Sequence, residues 1–402
     1  MTDVVVIGAG QAGAALVARL RGAGHVGAIT LIGNEDAPPY QRPPLSKGYL
    51  LGEMNEERLW LRGPDFYDEH GITLRLGSPV SAIDRAAKTV TFGADVIAYD
   101  DLVLTTGSSP RRLPAAVGGD LAGVYTVRML TDVDAMKAEF VAGRRVVIVG
   151  GGYIGLEAAA VAAKLGLKVT VLEMAPRILQ RVASPQTSDY FRALHQLHGV
   201  EILESTGLDR LIGDTRVTGA RLADGRILPA DFVIAGVGVV PGTALAEAAG
   251  LAIENGIKTD AQGRTSDPHI WAAGDCASFP WQDGRLRLES VGNAIDQAEV
   301  VADNIMGAGM AYDAKPWFWS DQYECKLQIA GLNTGYDTIV ARGPDGPSVS
   351  FWYYRGDALL AVDAMNDPRS YMVGKRLIEQ GKSPAKAAVA NPATVLKDLL
   401  KA

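Results

Sequence analysis

Val4-Val5-Val6-Ile7-Gly8-Ala9-Gly10-Gln11-Ala12-Gly13 is the stretch whose reading decides the fold. The apolar run Val4–Ile7 predicts a buried strand. The glycine-rich hexad predicts a tight turn, and the small residues after it predict a helix through about Gly22. A second apolar run, Ala28–Ile32, stops at Gly33-Asn34-Glu35. Strand, glycine turn, helix, strand and acid together make the βαβ unit of a nucleotide-binding sheet. Gly8 permits the turn, Gly10 lets the backbone approach a phosphate, and Gly13 lets the helix pack closely on the strand. The helix N-terminus offers free N–H groups and a positive dipole end to a pyrophosphate, while Glu35 can accept from a ribose diol. A glycine turn by itself is common in α/β proteins; the complete set of parts points to a dinucleotide site.

The same pattern returns. Val146–Val149 leads into Gly150-Gly151-Gly152-Tyr153-Ile154-Gly155, an Ala-rich helix, and the strand Val169–Leu172 ending at Glu173. Gly150, Gly152, Gly155 and Glu173 repeat the roles of the first copy. A carboxylate at the end of that strand bonds a ribose 2′-hydroxyl and repels a 2′-phosphate, so NAD(H) is expected over its phosphorylated form. Arg177 and Arg181 leave alternatives open: a cation that accepts the phosphate, or side chains that are solvated or paired with Glu173. Two such sites in one chain imply two dinucleotides, and the economical pairing is a tightly held flavin, FAD, with an exchangeable nicotinamide.

The bulk properties agree with an enzyme of about two to three domains. The 402 residues are 48% hydrophobic and 21% charged, with 46 glycines for turns and ligand-facing loops. A net charge of −7 argues against nucleic acid or an anionic membrane as the main partner. Two distant cysteines, Cys276 and Cys325, are too few for a disulfide framework or an iron–sulfur cluster and form no dithiol motif. The start Met1-Thr2-Asp3 shows no secretory pattern, and no apolar run approaches the roughly 18 residues of a membrane span, so a cytoplasmic protein with no metal site is expected. Thr89–Phe92, Leu102–Leu104 and Phe232–Val240 read as strands, the last closing the second copy. Thr265 to Asp275 reads as a strand running into a Gly-Asp turn, followed by a helix over about Asn293–Gly307. From about Ala311 aromatic residues crowd the sequence; Ser348–Tyr354, a turn at Arg355-Gly356-Asp357 and Leu359–Ala364 predict a hairpin, and a basic helix starts near Arg369.

Pro43-Pro44-Leu45-Ser46-Lys47, Thr105-Thr106-Gly107, Gly150 to Glu157, Asp231 to Gly238, Gly274-Asp275-Cys276-Ala277, Glu289-Ser290-Val291 and Pro316 to Tyr323 together carry a likeness that spans nearly the whole chain. By them the chain resembles the FAD-dependent ferredoxin reductases of the oxygenase-coupled, putidaredoxin-reductase-like type, within the glutathione-reductase structural family. The resemblance implies an α/β protein with two Rossmann-like domains and a C-terminal α+β domain: residues 1–108 and 236–310 for FAD, 109–235 for NAD, and 311–402 as the C-terminal domain. It implies that Ala12, Asn34, Glu35, Arg42, Pro44, Lys47, Val80, Thr106, Gly107, Arg128, Asp275, Glu289, Ser290, Val291 and Trp319 serve the flavin, with Asp275 accepting from the ribityl chain. Lys47 would sit near the reacting ring and pair with Glu157, itself close to the nicotinamide; these two are the expected catalytic residues. A cation there would favour negative charge developing on the ring. The alternatives are a surface lysine after a Pro-Pro turn and a carboxylate on a helix surface. Tyr153 and Ile154 would floor the nicotinamide, or simply pack.

The implied activity takes hydride from NADH onto FAD and passes single electrons to a [2Fe–2S] ferredoxin serving a cytochrome P450 or a Rieske-type oxygenase. No cysteine accompanies Ser46-Lys47, which excludes disulfide reductases and the relatives that use one reactive cysteine there; Cys276 is expected to be a buried small residue. Ferredoxins are acidic, so Arg285, Arg287, Lys315, Lys326, Arg369, Lys375 and Arg376 are docking candidates, with the alternative of a solvated face. Trp317 and Trp319 would lie between flavin and partner, or in the C-terminal core. A rubredoxin reductase and a flavin-gated interaction protein resembling apoptosis-inducing factor are the competing readings.

Overall fold

The computed structural model describes residues 2–343 and 348–401; the opening Met1 and the end of the 311–402 segment at Ala402 lie outside them. The chain divides into two compact units. The first comprises Met1–Arg42, Asn55–Ser109 and Val239–Pro316; the second comprises Pro43–Met54, Pro110–Gly238 and Trp317–Ala402.

The first unit is built on a parallel sheet in the order Ile270–Ala272, Asp101–Leu104, Val4–Ile7, Ile29–Ile32, Ile72–Arg75. Its central strand Val4–Ile7 reads as an unbroken apolar run because both faces are covered. Val4 and Val6 pack with Leu16, Val17 and Leu20 of the helix Gln11–Gly22 and with Ala298 and Val301 of the helix Val291–Ile305. Val5 and Ile7 face the opposite cluster with Val90, Phe92, Leu251 and Cys276. Thr89–Phe92 belongs to a separate antiparallel sheet with Val80–Asp84 and Asp95–Ala98.

The second unit repeats the parallel design in the order Glu201–Leu203, Lys168–Leu172, Arg145–Val149, Phe232–Ala235, Val124–Tyr125. The expected single strand Phe232–Val240 is two: Phe232–Ala235 pairs here, and Val239–Pro241 falls in the first unit. The break lies at Gly236-Val237-Gly238, where Gly238 adopts φ +98°, a conformation that ends a ladder and suits glycine. An apolar run alone cannot reveal such a break.

Also in the second unit, Trp317–Gln322, Cys325–Gly331, Ala358–Met365, Val349–Arg355 and Thr338–Arg342 form an antiparallel sheet in that order. The aromatic crowding is two-sided filling. Phe351 and Tyr353 meet Leu156, Phe191 and Leu327 on one face. Trp352 and Tyr354 meet Val362 and Leu377 on the other, under the helix Pro368–Glu379. This helix begins two residues after Asn366 because Asp367 caps it, accepting from Ser370 N at 3.0 Å. The strand Ile270–Ala272 is shorter than the Thr265–Asp275 reading, since Asp267 and Thr265 bond their own turn.

Candidate functional site: two glycine turns and a lysine paired with a buried carboxylate

In the first turn the three glycines are held by different constraints. A Cβ on Gly8, at φ +116°, would stand 2.2 Å from the Thr105 carbonyl oxygen, and one on Gly13 would stand 2.1 Å from the Gly8 carbonyl oxygen. A Cβ on Gly10 would meet nothing within 4 Å. The outer glycines are therefore fixed by packing, and the middle one faces open space, as a backbone that admits a phosphate must. The second turn matches: a Cβ on Gly150 would lie 2.3 Å from the Gly236 carbonyl oxygen, one on Gly155 2.2 Å from that of Gly150, and one on Gly152 would meet nothing within 4 Å.

The helices behind these turns lack side-chain caps. Gly10 and Gly152 are their N-caps, whereas Ser184, Ser290 and Asp367 cap the other three helices of twelve or more residues among the described residues. The first-turn N–H groups of those two helices are thus left to an external anion. Both turns fit a dinucleotide pyrophosphate.

Around the first turn, Thr105 Oγ1 donates to the Gly8 carbonyl at 2.8 Å, and Thr106 Oγ1 to that of Gly242 at 2.5 Å. Gly107 takes φ +65°. Gly274 sits where its Cβ would be 3.0 Å from Ala12, and Asp275 accepts from Ser108 Oγ at 2.9 Å. Glu35 accepts from Arg42 at 2.7 Å and from the Tyr40 hydroxyl at 2.5 Å. Burial opposes the Arg42 charge, but Tyr40, Glu35 and Asp275 outweigh it and raise its pKa. Asn34 is exposed, Val80 and Val291 are half-buried, Glu289 pairs with Arg287, and Ser290 caps the helix Val291–Ile305.

Around the second turn, Glu173 accepts from the backbone N–H of Gly151 at 2.8 Å and of Ala175 at 2.7 Å. Arg177 neither pairs with Glu173 nor lies solvated: its guanidinium donates to the Ala183 carbonyl at 2.8 Å, to that of Ser184 and to Ser188 Oγ. Arg181 is exposed. Tyr153 and Ile154 part company: the Tyr153 ring packs on Phe318 with centroids 5.0 Å apart and its hydroxyl is buried, while Ile154 is 42% exposed. Pro44, Arg128 and Trp319, all half-buried, belong to this unit, and Trp319 stacks on Trp317 at 5.4 Å.

Lys47 Nζ stands 2.7 Å from Glu157 Oε2, with Glu157 on the helix Tyr153–Lys164. Ser46 Oγ donates to the same oxygen at 2.6 Å, and Ser320 Oγ donates to Oε1 at 2.7 Å. Glu157 is buried, so the carboxylate on an Ala-rich helix faces inward and is held by three donors, two on Oε2 and one on Oε1. Sequence reasoning did not single out Tyr40, Ser46, Ser320, Gln322 or His195. Ser46, Ser320 and Gln322 lie inside the motifs that carry the likeness, and period-two alternation along Trp317–Gln322 is the signal that sets Phe318, Ser320 and Gln322 on one face.

The two cysteines are no redox pair. Cys276 is fully buried and its thiol contacts the Leu104 and Ala273 carbonyls; burial raises its pKa, and pushes that of Cys325 up to about 11. Arg285 and Arg287 are half-buried, unlike an open basic face. Arg285 donates to the Thr259 carbonyl at 2.7 Å and Arg287 to that of Asp275 at 3.2 Å, so their charges are committed to the fold. Lys315, Lys326, Arg369 and Arg376 are exposed, and Lys375 lies 5.6 Å over the Trp317 ring. No helix among the described residues is long and apolar enough to cross a membrane.

The pyridine nucleotide-disulphide oxidoreductase family matches residues 2–298, and the reductase C-terminal family matches residues 317–400. A ferredoxin–NAD(P)(+) reductase from Sphingomonas sp is 44% identical, covering 99% of this chain and 97% of that one. Putidaredoxin reductase from Pseudomonas putida is 41% identical over 100% of this chain and 97% of its own length. The solved covalent putidaredoxin reductase–putidaredoxin complex contains a chain that superposes with TM-score 0.96 at 40% identity, covering 100% of this chain and 98% of that one. The chain belongs to the pyridine nucleotide-disulphide oxidoreductase family, in its ferredoxin reductase branch, and is an oxidoreductase that binds FAD and NAD(H).

Proposed function

We propose that this protein carries electrons from NADH through FAD to a [2Fe–2S] ferredoxin that serves a cytochrome P450 or Rieske-type oxygenase in the cytoplasm. The observation that carries this reading is the full-length likeness to reductases whose names specify ferredoxin-type partners. We assign FAD to the Gly8–Gly13 turn with Glu35, Arg42 and Asp275, and NAD(H) to the Gly150–Gly155 turn with Glu173. When bound, FAD accepts a hydride and releases electrons singly, which suits a one-electron carrier.

The chain's own groups do little acid–base work; positioning supplies most of the rate. The glycine turns anchor each pyrophosphate through backbone N–H groups. Glu173 rejects a 2′-phosphate by charge, and Arg177, tied to its own loop, does not compensate. Lys47 brings positive charge to the reacting ring, and Glu157 fixes the direction in which Lys47 points. Exposed basic residues attract an acidic ferredoxin.

The test is anaerobic. NADH should bleach the flavin absorbance, and reoxidation through cytochrome c should depend on an added [2Fe–2S] ferredoxin and not on rubredoxin. Bleaching without ferredoxin-dependent turnover would overturn the partner; no bleaching would overturn the hydride step.

A further inference from the structure

Behind Glu157 runs a line of buried polar groups to which electron transfer gives no task. Ser320 Oγ contacts Glu157 Oε1 at 2.7 Å, Gln322 Nε2 contacts Ser320 Oγ at 3.1 Å, and His195 Nε2 contacts Gln322 Oε1 at 2.7 Å. His195 Nδ1 then meets the Tyr323 hydroxyl at 3.1 Å, and the Tyr323 ring stacks on His198 at 3.7 Å. Ser320, Gln322 and His195 are each 0% exposed. Left unpaired, each would be costly to bury, and apolar residues would fill the space without that cost.

The chain has only one consistent direction. An ionised carboxylate accepts and never donates, so Ser320 must donate to Glu157. Its oxygen then accepts, so Gln322 must present its NH2 to it and its carbonyl to His195. His195 must therefore carry its proton on Nε2 and accept from Tyr323 on Nδ1. The groups facing His195 agree with a neutral ring: Gln322 and Tyr323 bond it, His198 disfavours further positive charge, and burial lowers its pKa to about 4. The acid Glu324 pairs with His198 at 3.5 Å and not with His195.

We infer that His195 is a positioning residue for the Lys47–Glu157 pair: through Gln322 and Ser320 it holds the carboxylate oxygen that Lys47 leaves free, and its ring tautomer is set by the charge on Glu157. Lys47 and Ser46 both sit on Oε2, so the Ser320 hydroxyl holds Oε1, and the line to His195 keeps that hydroxyl from turning away. The inference rests on the reading that Lys47 and Glu157 work at the reacting ring, but its signature does not depend on turnover.

That signature is the histidine nitrogen spectrum of the FAD-loaded, 15N-labelled protein. The wild type should show His195 as the Nε2–H tautomer at neutral pH. In Glu157→Gln, the carboxamide oxygen stays with Lys47 and Ser46, and its NH2 faces Ser320. Every bond then reverses and His195 should become Nδ1–H. Adding Ser320→Ala to Glu157→Gln cuts the line and should abolish the switch. Ser320→Ala alone, a loss of one hydroxyl, should slow flavin reduction by NADH about tenfold while leaving NAD+ affinity by calorimetry within about twofold. An Nδ1–H ring in the wild type, or no switch in Glu157→Gln, would overturn the inference. If the switch occurs but Glu157→Gln is reduced by NADH at the wild-type rate, the assignment of the pair to the reacting ring fails and the polar line stands.

Discussion

At the scale of single residues, the glycines and Glu173 make sharp claims. Gly13 touches backbone and Gly10 touches nothing, so alanine at each should fail differently. Gly13→Ala drives a methyl into the Gly8 carbonyl and should lower the melting temperature of the apoprotein. Gly10→Ala should leave that temperature nearly unchanged and weaken FAD retention by at least about tenfold in dialysis, since only the ligand meets the new methyl. Equal effects on melting would remove the phosphate role from Gly10. Glu173→Arg should move steady-state preference from NADH toward NADPH, because Arg177 is already engaged and the acid is the group placed to discriminate. An unchanged ratio of kcat/KM values would end the argument for NADH.

Two buried titratable residues give a pH prediction. Burial moves His195 from 6.5 down to about 4, so the unfolded chain takes up the proton first as pH falls. The stability from the neutral ring is complete above pH 6.5 and is lost between there and 4, about 3 kcal/mol in all. Asp363 moves oppositely, from 3.8 up to about 6, through burial that its bonds to Tyr353 and Thr187 only partly offset. Its contribution is present at low pH and fades as pH rises through 6. The two slopes oppose each other between pH 4 and 6. Asp363→Asn should therefore make the urea midpoint climb more steeply with pH over that range than in the wild type; parallel profiles would contradict the Asp363 assignment.

At the scale of elements, strand Trp317–Gln322 shows how local pattern and function meet. Alternation gives Trp317 and Trp319 one face, where they stack, and gives Phe318, Ser320 and Gln322 the other, against Tyr153, Glu157 and His195. The helix Tyr153–Lys164 carries both the uncapped N-terminus that suits a pyrophosphate and, one turn on, Glu157. One element thus carries both a helix N-terminus suited to a pyrophosphate and the carboxylate that holds Lys47.

At the scale of the whole molecule, a chain of net charge −7 needs a local basic patch if it is to attract the acidic ferredoxin proposed above. With Arg285 and Arg287 committed to carbonyls, the exposed Lys326, Arg369 and Arg376 remain as candidates in the second unit. Charge reversal at Lys326 and Arg369 should raise KM for ferredoxin at least about fivefold at low salt and leave NADH–ferricyanide activity unchanged. Losing both activities together would point to a folding defect, and losing neither would place docking elsewhere.

Sequence alone determined the two βαβ units, because continuous apolar strands, glycine turns and terminal acids are local patterns with local causes. Gly8, Gly13, Gly150 and Gly155 could be assigned from spacing since a turn and its helix are neighbours along the chain. Only the tertiary structure decided that Phe232–Val240 breaks at Gly236–Gly238, that Arg177 turns from Glu173 to its own loop, and that Ser320, Gln322 and His195 stand in line behind Glu157. Those outcomes depend on side chains more than a hundred positions apart, or on carbonyls whose availability follows from packing, and no one-dimensional pattern encodes which buried donor finds which acceptor.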